Sequence, residues 1–229
     1  MQQDHSRHIA LLVTVVAWLG AGVALAQTPP DAATIARHGL GSSVPACASC
    51  HGADGGGQAA AGFPRLAGLN EAYLKRQLDD FAAGRRANPI MQPVAKALNE
   101  SQRQALATYF SRLPVPVSAA PAAPASSSTA SDNVLGEELA THGRWSQQVP
   151  GCEKCHGPNG MGVGENFPPL AGQPAQYIAN QLQAFKSGAR QDDLLGLMHH
   201  VASALTERDI QAVSAWFAAQ PARPKGAKP

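Results

Sequence analysis

Apolar residues recur at helical spacing in two well-separated parts of this 229-residue chain. Over Glu71–Ala83, Leu74, Leu78 and Phe81 share one face, and Ile178, Leu182 and Phe185 repeat that arrangement further on. A second pair of stripes comprises Leu106, Tyr109, Phe110 and Leu113, then Ile210, Val213 and Phe217. Each follows a helix-start signal: Asn99 with Gln102, and Thr206 with Asp209, three residues on. Shorter helices are predicted over residues 33–39 and 135–143. No segment alternates with a period of two, so an all-α fold is expected.

The two parts are copies. Phe63, Pro64, Leu66, Ala67 and Gly68 recur as Phe167, Pro168, Leu170, Ala171 and Gly172, at an offset of 104. The offset holds through Tyr73/Tyr177, Gln77/Gln181 and Gly84/Gly188, then becomes 107 for Met91/Met198, Val94/Val201, Leu98/Leu205 and Phe110/Phe217. Small offset changes mark short loop insertions within a duplicated unit. Two tandem domains, 27–113 and 134–220, are therefore expected, with a linker over 114–133. Sixteen of those 20 linker residues are Pro, Ala, Ser or Thr, a composition that builds no core. Extended, it reaches about 60 Å, so it does not by itself fix how the domains sit.

At the N-terminus, Arg7 and His8 precede an uncharged apolar stretch, 9–26, that ends in Ala24-Leu25-Ala26. This reads as an export signal, 1–26, cut after Ala26, and places the mature chain in a bacterial periplasm; an uncleaved anchor is the alternative. Net charge is only +2, which excludes the broad basic field of a nucleic-acid binder. The charge is uneven: residues 31–113 carry nine Lys/Arg and six Asp/Glu, whereas 132–220 carry five and nine. A basic tail, 221–229, adds Arg223, Lys225 and Lys228. Such polarity suits a molecule that meets one partner at each end.

The chemistry lies in the cysteines. All four fall in Cys47-Ala48-Ser49-Cys50-His51 and Cys152-Glu153-Lys154-Cys155-His156. Paired C-x-x-C-H motifs form the haem-attachment signature, in which thioethers hold the porphyrin and the histidine binds iron. The glycine-rich stretches after each motif are loops and not phosphate cradles, since no strand precedes them and no P-loop lysine follows. A sixth ligand is needed, and thioether sulfur suits haem iron. Met91 and Met198 lie 40 and 42 residues after His51 and His156, at equivalent places in the copies, and are the candidates. Met161 has no counterpart and is read as loop filler; His199 and His200 are read as surface residues, as His38 and His142 are read as packing or capping residues. Zinc binding or thiol exchange would leave the histidines and the paired methionines unexplained.

The chain resembles the dihaem cytochrome c4 family, built of tandem class I cytochrome c domains. The likeness rests on both C-x-x-C-H motifs, on Phe-Pro-x-Leu-Ala-Gly at 63–68 and 167–172, on Tyr-x-x-x-Gln-Leu at 73–78 and 177–182, and on the two methionines. It implies an all-α fold, two covalent haem c groups, and single-electron transfer between a quinol-oxidising complex and a terminal oxidase, with peripheral association with membrane complexes. It further implies that the carbonyls of Pro64 and Pro168 support His51 and His156. Arg86 and Arg190 are candidates to pair with haem propionates, solvated helix-end charges being the alternative. Competing readings are a dihaem oxidoreductase, thiosulfate dehydrogenase-like or peroxidase-like, and a haem subunit of a larger complex. With all four cysteines used in attachment, such an enzyme would need a labile ligand, for which His199 is the candidate.

Overall fold

The computed structural model describes residues 31–116, 129–193 and 195–222. The expected export signal at 1–26, the linker centre at 117–128 and residues 223–229 of the expected basic tail lie outside the described residues. Each copy is a small helical domain. The first contains α1 (Ala32–His38), α2 (Ala48–His51), α3 (Glu71–Ala83), α4 (Met91–Ala97) and α5 (Glu100–Arg112). The second contains α6 (Ala130–Thr141), α7 (Glu153–His156), α8 (Ala175–Ser187), α9 (Leu197–Ala204) and α10 (Glu207–Ala219).

The ends of these helices follow local chemistry. Asn99 and Gln102 form a reciprocal capping box at α5, and Thr206 and Asp209 form one at α10. Gly84 and Gly188 close α3 and α8 at φ +80° and +75°, the left-handed region that costs glycine nothing. The apolar stripes turn inward. Ile35, Leu74, Leu106 and Phe110 meet in the first core; Leu139, Ile178, Leu182, Ile210, Val213 and Phe217 meet in the second. Helix α6 crosses α10 so closely at Gly136 that a β-carbon there would strike the Ala212 carbonyl.

Three features depart from the sequence expectation. Helix α6 begins at Ala130, so Ala130–Asn133 form a helical turn where linker was expected. Thr129 caps that turn through a box with Asp132, whose carboxylate also accepts from Arg208 Nε at 2.9 Å. At its other end the linker starts late, because Val115 is buried and lies against Gly68. A two-residue hairpin, β1 (Gly143–Arg144) with β2 (Val149–Pro150), leads into the second motif; it is too short to carry an alternation signal. Among the described residues, no helix is long and apolar enough to cross a membrane.

The domains touch through a near-symmetric seam. Ala87 N donates to Ala189 O at 2.8 Å and Gln191 N to Arg85 O at 2.7 Å, an antiparallel bridge centred on Arg86 and Arg190. The linker leaves the geometry open, and these contacts set it.

Candidate functional site

Each C-x-x-C-H motif forms a single helical turn. His51 N donates to Cys47 O, and His156 N to Cys152 O, both at 2.9 Å. This places the first cysteine at the turn's entrance and the second beside the histidine, so one rigid unit presents both sulfurs and an imidazole. No disulfide joins any of the four cysteines, so each sulfur is available for attachment. Burial pushes the Cys47 thiol above its ordinary value and that of Cys152 up to about 12. Among the described residues no three His, Cys, Asp or Glu side chains gather as a metal cluster.

The imidazoles are held from behind. His51 Nδ1 donates to Pro64 O at 3.0 Å, and His156 Nδ1 donates to Pro168 O at 2.8 Å. A carbonyl oxygen only accepts, so Nδ1 carries the hydrogen and the Nε2 lone pair is left for a ligand. Phe63 and Phe167 stand edge-on to these rings at 6.2 Å. Burial pushes both imidazoles below the ordinary histidine range, so they are neutral donors at pH 7. The Phe-Pro segment stays close because Gly57 N donates to His51 O at 2.8 Å, at φ +85°; a β-carbon on Gly57 would come within 2.7 Å of Arg65 N.

These residues fit a haem. Nε2 of neither histidine has a partner among the described residues. Each core also carries half-buried apolar side chains: Cys47, Leu66, Leu78 and Val94 in the first domain, and Cys152, Leu170, Met198 and Val201 in the second. Cys47 and Cys50, with Cys152 and Cys155, would hold the porphyrins covalently, His51 and His156 would bind iron, and bound haem iron supplies a reversible one-electron couple.

Met91 opens α4, and Met198 is the second residue of α9; both are half-buried. Their amides are pinned, Met91 N donating to Asn88 Oδ1 at 2.8 Å and Met198 N to Asp193 Oδ2 at 2.5 Å. Met161 follows a 3₁₀ turn in its glycine-rich loop. His199 is exposed and donates from Nδ1 to Phe185 O at 2.8 Å, which ties its ring to the end of α8; His38, His142 and His200 are also exposed.

Arg86 and Arg190 are buried in the domain seam and are not solvated charges. Arg86 donates to Gln77 Oε1 at 2.7 Å, Gln181 Oε1 at 2.5 Å and Tyr177 Oη at 3.0 Å. Arg190 donates to Gln77 Oε1 at 2.7 Å, Gln181 Oε1 at 3.0 Å and Asp192 Oδ1 at 2.8 Å. Each guanidinium also lies 4.4 Å over a phenyl ring of its own domain, Phe81 or Phe185. Sequence reasoning assigned no role to Phe63, Phe167, Gln77, Gln181 or Tyr177. Their signal was present: a polar residue repeated on an otherwise apolar helix face has a buried partner.

Comparison with known proteins agrees with this chemistry. The cytochrome c family matches residues 40–114 and 136–220, one stretch per domain. A thiosulfate dehydrogenase electron acceptor from Stutzerimonas stutzeri is 46% identical over 207 residues, covering 88% of this chain and 94% of its own. Cytochrome c4 from Azotobacter vinelandii is 35% identical, with coverages of 90% and 96%. Among solved structures, reduced cytochrome c4 from Pseudomonas stutzeri superposes with a TM-score of 0.67 at 34% identity, covering 76% of this chain and 93% of that one. Thiosulfate dehydrogenase from Marichromatium purpuratum superposes with a TM-score of 0.74 at 40% identity; it covers 83% of this chain, which spans 40% of that longer one. With two all-α domains, each matching the family and each built around a C-x-x-C-H turn, the chain belongs to the cytochrome c family as a dihaem, cytochrome c4-like member with two covalently bound haem c groups.

Proposed function

We propose that this chain is an exported, periplasmic electron carrier that accepts electrons from a thiosulfate-oxidising enzyme and passes them singly to a respiratory partner, with a terminal oxidase as the final acceptor. In this reading Met91 and Met198 complete the iron coordination opposite His51 and His156. Thioether ligation closes each site to small substrates and raises its electron affinity. The chain's own part is to keep each imidazole neutral and oriented, to shield it with apolar side chains, and to hold two sites in one packed body. The observation that carries the reading is the duplicated support of His51 by Pro64 and of His156 by Pro168, the same site built twice in contacting domains. The donor class comes from the two relatives, each 46% identical, that are named thiosulfate dehydrogenase electron acceptors. Oxidative joining of two thiosulfate ions releases two electrons, which suits two one-electron sites in one chain.

The test is a reduction assay. The purified holoprotein should stay oxidised with thiosulfate alone and become reduced when a thiosulfate-oxidising enzyme is added. Reduction by thiosulfate alone would make the chain itself the enzyme. The longer thiosulfate dehydrogenase chain favours a second reading, in which this protein is the haem subunit of a standing complex. Co-purification of the native protein with a catalytic chain would support that form.

A further inference from the structure

Arg65 is a buried cation whose side-chain hydrogen bonds among the described residues go only to backbone carbonyls. It is 5% exposed, and among the described residues no carboxylate lies within ion-pair distance. Nη1 donates to Ala67 O at 2.7 Å, Nη2 to Ala171 O at 3.2 Å across the seam, and Nε is buried without an acceptor. Its backbone is gripped by the other domain. Arg65 N donates to Gln173 Oε1 and Gln173 Nε2 donates to Arg65 O, both at 3.0 Å. Gln173 is itself buried.

The duplication makes this clamp informative. At the offset of 104, Arg65 corresponds to Pro169 and Gln173 to Leu69, so the second copy cannot repeat it. The clamp is made once, and it acts from the second domain on the first. Its place matters too. Arg65 directly follows Pro64, whose carbonyl accepts from His51, and its guanidinium reaches Ala171, three residues beyond Pro168, whose carbonyl accepts from His156. One side chain therefore joins the two imidazole-supporting segments.

We infer that Arg65, held by Gln173, is a positioning residue that makes the two redox sites unequal. The clamp fixes the Pro64 carbonyl against His51, and the buried guanidinium, held beside that segment, favours the reduced, less positive state of the first-domain site. This inference rests on the two-site carrier reading above.

The experiment is a redox titration of the haem-loaded full chain that resolves the two sites by the paramagnetically shifted NMR signals of each ferric haem. In Arg65→Gln the reduced-to-oxidised ratio of the first-domain site at fixed ambient potential should fall about tenfold, as expected for loss of one buried charge, while the second site moves less. Arg65→Lys should retain most of the native ratio. Gln173→Leu, which keeps the charge and frees the backbone, should change the first-domain ratio about threefold and shift the His51 ring signals. Equal effects of Arg65→Gln and Arg65→Lys, or no effect in either Arg65→Gln or Gln173→Leu, would overturn the inference. If Arg65→Gln does not fold, Gln173→Leu decides alone. Failure of the carrier reading looks different: the wild-type chain would then lack two one-electron steps.

Discussion

Arg86 and Arg190 face each other across the domain boundary as an antiparallel pair, and both donate to the same oxygen, Gln77 Oε1, each at 2.7 Å. Two like charges are tolerated this close because they share glutamine acceptors from both domains, lie over Phe81 and Phe185, and have Asp192 beside them. The seam is polar, and the hydrogen bonds of Arg86 and Arg190 make its geometry specific. Removing one member strands the rest in a buried setting. Arg190→Ala should cost about 3 kcal/mol of domain association, a buried charge partner being lost from Asp192. Small-angle scattering should show a larger radius of gyration, and the thermal transition should separate into two. An unchanged radius and a single transition would contradict the role given to this pair.

The candidate sixth ligands make a spectroscopic prediction. Met91→Ala and Met198→Ala should each abolish about half of the sulfur-to-iron absorption at the red end of the ferric spectrum, one ligand per site. Met161→Ala should leave that band intact, since Met161 is unduplicated and follows a loop turn. A full band in either of the first two variants would remove that methionine from the site.

Acid should loosen the second domain through Asp209. Asp209 is buried, and paired hydrogen bonds from Arg144 at 2.7 and 2.8 Å hold its carboxyl at about 2. A depressed folded-state value contributes stability that is complete above the unfolded value near 4 and is lost as pH falls toward 2. The contribution is on the order of 2 kcal/mol at neutral pH. The equivalent residue in the first domain is Gln102, which caps α5 without titrating. Thermal melts followed by circular dichroism from pH 6 to pH 2 should therefore show an acid-sensitive second domain. Arg144→Ala should lower its stability at neutral pH and flatten that pH dependence.

Charge divides along the same boundary, +3 over residues 31–113 and −4 over 132–220. Donor and acceptor docking should then respond oppositely when single-domain charges are reversed, and both rates should fall with ionic strength if each partner complements its own end. Stopped-flow rates for the two half-reactions across a salt series check this. Identical charge-reversal responses would show that the polarity has no part in docking.

How much of this was legible in the sequence follows from the range of the forces involved. The capping boxes at Asn99 and Thr206, and the helix over Glu71–Ala83, depend on neighbours within a turn, and the residues state them directly. The two C-x-x-C-H turns are similarly local. The start of α6 was hidden because Thr129–Asn133 has linker-like composition, and its helical turn is fixed by Arg208, 76 residues away from Asp132. The seam was hidden for a like reason. Arg65, Arg86 and Arg190 have ordinary surface identities, and only pairing between domains buries them. Repetition of Tyr73/Tyr177 and Gln77/Gln181 was the trace this seam left in the sequence.

The most direct test of the central claim is a spectroelectrochemical titration of the purified full-length protein, followed by exposure of its reduced form to carbon monoxide. Two haems per chain, two one-electron steps, a sulfur–iron band in the ferric state, and a reduced spectrum unaltered by the gas are the expected result. Ready capture of carbon monoxide by either iron, or fewer than two haems, would contradict it.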